Sequence, residues 1–141
     1  MSVFVSDRVR LGVVAAALVV LACGASSAAG SLRPASLAVT DADNGRTVAI
    51  ATGGQLTVTL GSTYWTFAGS SNPEVLRQVG LPVTSPGSCP PGVGCGQVSA
   101  TFAAVGRGRA DVTASRTSCG EALSCTGGAG SYRVTVVVGG P

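Results

Sequence analysis

From Leu37 onward the chain alternates apolar and polar residues in short runs broken by glycine, proline and asparagine. That pattern is the signature of half-buried strands. Leu37 and Val39, then Val48 and Ile50 beyond Asn44-Gly45, read as strand, turn and strand, because Asn-Gly suits a tight hairpin turn. After Gly53-Gly54, Leu56, Val58 and Leu60 alternate with Thr57 and Thr59. Thr63 to Phe67 forms the next strand, and Tyr64, Trp65 and Phe67 are half of all the aromatic residues, so it predicts the bulky centre of a core. Residues Asn72 to Gly80 suit either one helical turn, with Pro73 and Glu74 at its start, or an irregular strand. Leu81 to Gly96 reads as a long loop in which Pro82, Pro86, Pro90 and Pro91 oppose ladder pairing. Val98, Ala100 and Phe102, then Ala110, Val112 and Ala114, give two adjacent strands. Ser115 to Gly130 is a second loop, and Tyr132, Val134, Val136 and Val138 close the series.

The expected fold is therefore all-β: an immunoglobulin-like β-sandwich of seven or eight short antiparallel strands over residues 36–141, with a small barrel as the alternative. The segment before it is different. Arg8 and Arg10 precede an apolar run from Leu11 to Ala22, which as a helix would span about 18 Å. A bilayer core needs ~30 Å, so the run suits a removable signal segment, residues 1–22, better than a lasting membrane span. Val20-Leu21-Ala22-Cys23 is similar to a bacterial lipobox, with valine where leucine is commonest. The resemblance to bacterial lipoproteins implies that Cys23 carries a diacylglycerol and a further acyl chain. Residues 23–35, small and polar, would be the lipidated tether. The location implied is the bacterial cell envelope, on the outer face of the cytoplasmic membrane or on the outer membrane. An ordinary secretory signal with Cys23 incidental is the competing reading.

Charge and composition remove several function classes. After Cys23 there are seven arginines against five acids, and no basic cluster interleaves with aromatics, so nucleic acid is not an expected partner. Lysine and histidine are absent, which removes the usual general base, the commonest metal ligand and the P-loop cation. Asp41-Ala42-Asp43-Asn44-Gly45 opens like a calcium loop but lacks the bidentate acid that should follow. Ser118-Cys119-Gly120-Glu121 has no activating base. No enzyme activity, metal or cofactor is expected.

Four further cysteines, Cys89, Cys95, Cys119 and Cys125, suit two disulfides in an exported chain better than a zinc site. Local closure of Cys89 with Cys95 and of Cys119 with Cys125 is geometrically easy, and cross-loop pairing is also open. Glu121 could form an ion pair with Arg116, or both could face a partner protein.

The order of segments from Leu37 to Val138 resembles the chagasin family, small immunoglobulin-like inhibitors of papain-type cysteine proteases. In that family three neighbouring loops at one end of the sandwich wedge into the protease cleft. The loop Gly61-Ser62-Thr63-Tyr64 keeps a threonine and an aromatic of the first loop motif but lacks its Asn-Pro start. Gly92-Val93-Gly94-Cys95-Gly96 stands where the second has Gly-x-Gly-Gly, and Arg116-Thr117-Ser118 keeps the arginine of an Arg-Pro-Trp type third motif. The resemblance implies Ser62, Thr63, Tyr64, Gly92, Gly94, Gly96, Arg116 and Glu121 as partner-binding residues of a monomeric, non-catalytic inhibitor. The alternative is a structural or adhesive sandwich module of the envelope that binds another envelope protein.

Overall fold

The computed structural model describes residues 35–120 and 122–139; the signal segment 1–22, Cys23, tether residues 24–34 and Glu121 lie outside the described residues. Ten strands follow one another: β1 (Ser36–Thr40), β2 (Thr47–Ala51), β3 (Gln55–Gly61), β4 (Thr66–Ser70), β5 (Leu76–Pro86), β6 (Gly96–Ala104), β7 (Gly108–Ser115), β8 (Ser118–Gly120), β9 (Leu123–Ser124) and β10 (Ser131–Gly139). One four-stranded sheet has the order β1-β3-β6-β5 and the other β2-β10-β7-β4, with β8 and β9 as a small separate ribbon. This is an immunoglobulin-like β-sandwich.

Its core follows from the alternation. Leu56, Val58 and Leu60 of β3 and Val98, Ala100 and Phe102 of β6 are buried, as are Val112 and Ala114 of β7 and Tyr132, Val134 and Val136 of β10. The residues between them face outward, where Thr59 and Ser99 share a hydroxyl hydrogen bond of 3.0 Å across β3 and β6. Trp65 is 7% exposed and meets the Tyr132 ring edge-on, with centroids 6.4 Å apart. The Tyr132 hydroxyl donates to the Thr40 carbonyl at 3.2 Å. Burial, then the nearby Asp43 and Asp41 carboxylates, push its pKa up to about 12.

The strand expected from Thr63 to Phe67 begins only at Thr66, with Tyr64 in the loop before it and Trp65 the one buried aromatic of the three. Two further expectations from the pattern are corrected. Asn44-Gly45 does not close a hairpin: β1 pairs parallel with β3 and β2 pairs parallel with β10, so the segment carries the chain from one sheet to the other. The reason is that Asn44 is engaged with a distant strand. Its side-chain amide donates to the Ser131 carbonyl at 3.0 Å, its Oδ1 accepts from the Arg133 amide at 2.9 Å, and the Gly45 amide donates to the Arg133 carbonyl at 2.7 Å. Asp41 and Asp43 are occupied as well, accepting from the amides of Gly61 at 2.8 Å and Thr40 at 2.9 Å. Secondly, the prolines of Leu81 to Pro86 do not exclude a strand. β5 lies at a sheet edge and its register shifts between Val79 and Val83, so Pro82 falls in the bulge where no ladder donor is needed. The loop that follows shortens to residues 87–95.

Register sets the two ends of the sandwich apart. Gly61 ends β3 opposite Gln97, Pro86 ends β5 opposite Gly96, and Ser115 ends β7 opposite Ser131 and Thr66. The loops β3–β4, β5–β6 and β7–β10 therefore share one end. Ala35, the Thr52–Gly54 turn, the β6–β7 turn and Gly139 share the other, one seven-residue strand or about 20 Å away.

Candidate functional site

Three loops of small residues hold a shape only when something ties them, and the ties here run through Tyr64 and Trp65. Ser62, Thr63 and Tyr64 follow the end of β3. The Ser62 amide donates to the Gly96 carbonyl and the Thr63 amide to the Gly94 carbonyl, both at 2.8 Å. Tyr64 lies across the second loop, its hydroxyl donating to the Gly92 carbonyl. Gly94 is required by this arrangement, since a Cβ there would stand 2.0 Å from the Tyr64 ring. Ser62 adopts φ 111°, a conformation costly for a residue with a side chain, and its Oγ accepts from the Tyr64 amide at 3.2 Å. Such strain persists only where neighbouring contacts impose it.

The β5–β6 loop is closed by the Cys89–Cys95 disulfide and the β7–β10 loop by Cys119–Cys125, so both pairings are local. Gly92, Gly94 and Gly96 stand at φ +88°, +66° and +116°. The disulfide thus leaves the backbone conformation to the glycines, and Gly96 has a second reason: a Cβ would meet the Ser85 carbonyl oxygen at 2.3 Å.

The third loop is tied from below. The Arg116 guanidinium lies 4.4 Å over the centroid of the Trp65 ring. Its Nε donates to the Ala129 carbonyl at 3.2 Å and its amide to the Gly130 carbonyl at 2.9 Å, which fixes the 3-10 turn Gly127–Gly130 beside it. The indole Nε1 of Trp65 donates to the Gly61 carbonyl at 3.1 Å. One residue therefore joins the first loop, the third loop and the core.

Of the residues expected to bind a partner, Ser62, Thr63, Tyr64, Gly92, Gly94 and Gly96 are brought into direct contact with one another. Arg116 joins them through Trp65, and Glu121 lies outside the described residues. The pairing of Arg116 with Trp65 was not foreseen from the sequence, where Trp65 reads as core alone. Gly130 was the one available sign of close packing: a Cβ there would stand 2.5 Å from the Arg116 carbonyl oxygen. Chemically the end is a preorganised, mostly uncharged protrusion. Among the described residues no three acids or cysteines stand together as metal ligands.

No family model matches the chain, and no curated protein matches it. Solved structures do. The solution structure of amebosin aligns over 76% of this chain and 100% of its own, with TM-score 0.52 and 15% identity. The crystal structure of the cysteine protease inhibitor EhICP2 from Entamoeba histolytica aligns over 74% of this chain and 96% of its own, with TM-score 0.53 and 10% identity. The chain shares their fold. The shared fold is reached at identities so low that the likeness rests on architecture, not on matched loop residues.

Proposed function

We propose that the domain is a steric, non-catalytic inhibitor of papain-type cysteine proteases, acting as a monomer through Ser62 to Tyr64, Gly92 to Gly96 and the Arg116 loop. The observation that carries this reading is the cross-tying of three loops at one end by Tyr64 and Trp65. Loops already ordered lose little entropy on entering a cleft, so more of their contact energy remains for binding. The shared fold with a protein described as a cysteine protease inhibitor supports the choice of partner.

We further propose that the chain is a lipoprotein anchored at Cys23 to the cell envelope after loss of residues 1–22. The lipobox-like Val20-Leu21-Ala22-Cys23 supports it. So does the position of Ala35, at the end opposite the three loops, because a tether leaving there lets the loops face away from the membrane.

The test is steady-state inhibition of papain by the oxidised full chain, with papain activated and then freed of reductant, and with reduced chain as control. Inhibition at micromolar chain, weakened on reduction, is expected. No inhibition at that concentration overturns the protease reading and leaves the adhesive or structural envelope module in its place.

A further inference from the structure

The end remote from the loops carries three arginines: Arg77, second residue of β5, Arg107 in the β6–β7 turn, and Arg109, second residue of β7. All three are exposed. Strand alternation sends them to different sides of the tip. Leu76 is buried, so Arg77 points out of one sheet; Ala110 is buried, so Arg109 points out of the other; Arg107 stands in the turn between. The acids of the described segments that build this end are Glu74 and Asp111, and Asp111 follows Arg109 by two positions on the same outward side of β7, where Arg133 pairs with it at 4.0 Å. Elsewhere among the described residues the arginines are engaged: Arg46 is 3.8 Å from Asp43, Arg133 is 4.0 Å from Asp111, and Arg116 stacks on Trp65. Among the described residues, none of the three at this tip forms an ion pair.

The same tip is where the chain enters the sandwich. The Gln55 amide donates to the Ala35 carbonyl at 2.9 Å, placing Ala35 beside the first residue of β3. Eleven residues, 24–34, separate it from Cys23. A lipid on Cys23 would keep phospholipid headgroups within the reach of those residues, at most ~40 Å, of three arginines that form no ion pair among the described residues. A guanidinium binds phosphate oxygens in a bidentate manner.

We propose that this arginine-bearing tip is a membrane-facing surface that seats on anionic phospholipid headgroups. Its placement rests on the reading that the chain is anchored at Cys23, but the attraction itself does not need the lipid. A domain seated this way stands with its three loops about 20 Å above the headgroups, presented to partners arriving from outside. The acyl chains hold the protein at the surface, and the arginines set which end faces it.

The experiment uses the full chain carrying Cys23→Ser, so that no acyl chain contributes, and measures co-sedimentation with vesicles. Vesicles of phosphatidylcholine alone are compared with vesicles of three parts phosphatidylcholine to one part phosphatidylglycerol. The same chain with Arg77→Gln, Arg107→Gln and Arg109→Gln shares every other feature, including the N-terminal segment. At low salt the parent should partition onto the anionic vesicles about 10- to 100-fold more strongly than the triple variant. The difference should vanish on neutral vesicles and shrink in high salt. Equal partition of the two onto anionic vesicles overturns the proposal. So does an equal loss from Arg46→Gln with Arg133→Gln, because net charge would then be acting and not this tip. The mass of the Cys23 peptide from the unsubstituted chain made in a bacterium tests the anchor separately: an unmodified Cys23 removes the anchor without touching the vesicle result.

Discussion

The two disulfide loops carry the same staple, cysteines six positions apart, yet they are ordered by different means. The loop over residues 87–95 is uncharged and has no secondary structure of its own. It takes its shape from the neighbouring loop, through the Ser62 and Thr63 amides and the Tyr64 ring. The loop after Arg116 contains the β8–β9 ribbon and a 3-10 turn, and it is tied to the core through one guanidinium on one indole. A disulfide shortens the unfolded chain's options but leaves the direction of a loop unset. Direction comes from the aromatic dipeptide Tyr64-Trp65, whose first ring serves one loop and whose second serves the other.

The largest expected effect comes from removing what both loops share. Trp65→Ala takes away a buried indole, its bond to Gly61 and the seat of Arg116. A loss of about 3–5 kcal/mol in denaturant unfolding is expected. That is a large share of an ordinary domain's stability, and amide exchange should quicken in both loops. A loss under 1 kcal/mol would show that the loops are held independently of this residue.

Gly94→Ala separates the loops. The new methyl group would collide with the Tyr64 ring at a backbone conformation with φ +66°, so either the ring or the loop must move. Overpacking and backbone strain together should cost about 1–3 kcal/mol. Amide exchange should rise at residues 92–96 and 62–64, stay unchanged at 127–130, and papain inhibition should weaken at least tenfold. Equal disturbance of the Arg116 loop would mean that the two are coupled through more than Trp65.

The strands of the core were legible because alternation with period two survives in every central strand; Leu56 to Leu60 and Tyr132 to Val138 need no partner to be recognised. Pairing was less legible. Asn44-Gly45 has hairpin chemistry, and only its bonds to Ser131 and Arg133, 87 and 89 positions away, divert it into a crossover. Pro82 looked like a barrier to strand formation because a sequence does not reveal which strand will lie at an edge or where a bulge will release a donor. Within the candidate site, Ser62, Thr63, Tyr64, Gly92, Gly94 and Gly96 do come together, Arg116 reaches them through Trp65, and Glu121 lies outside the described residues. The means by which they do so, a glycine beneath a tyrosine ring and an arginine above a tryptophan, depend on distances that no local spacing encodes.

The smallest expected effect tests the second loop alone, with Arg116→Lys. Lysine keeps the positive charge and can still lie over the Trp65 face, so most of the cation–π attraction survives. What it lacks is the Nε–H that reaches the Ala129 carbonyl at 3.2 Å, one of the two bonds from Arg116 to the 3-10 turn; the backbone bond to the Gly130 carbonyl at 2.9 Å remains. A single exposed hydrogen bond of this kind is worth about 0.5–1.5 kcal/mol. Global stability should therefore fall by about that amount or less, while amide exchange at residues 127–130 rises and the Tyr64 contacts with Gly92 and Gly94 persist. If exchange at 127–130 does not change, the cation–π contact and the backbone bond to Gly130 suffice to order the loop, and Arg116→Ala, which removes the first, should then produce the rise that lysine did not. If the change spreads to residues 92–96, the division between one loop held by its neighbour and one held by the core fails.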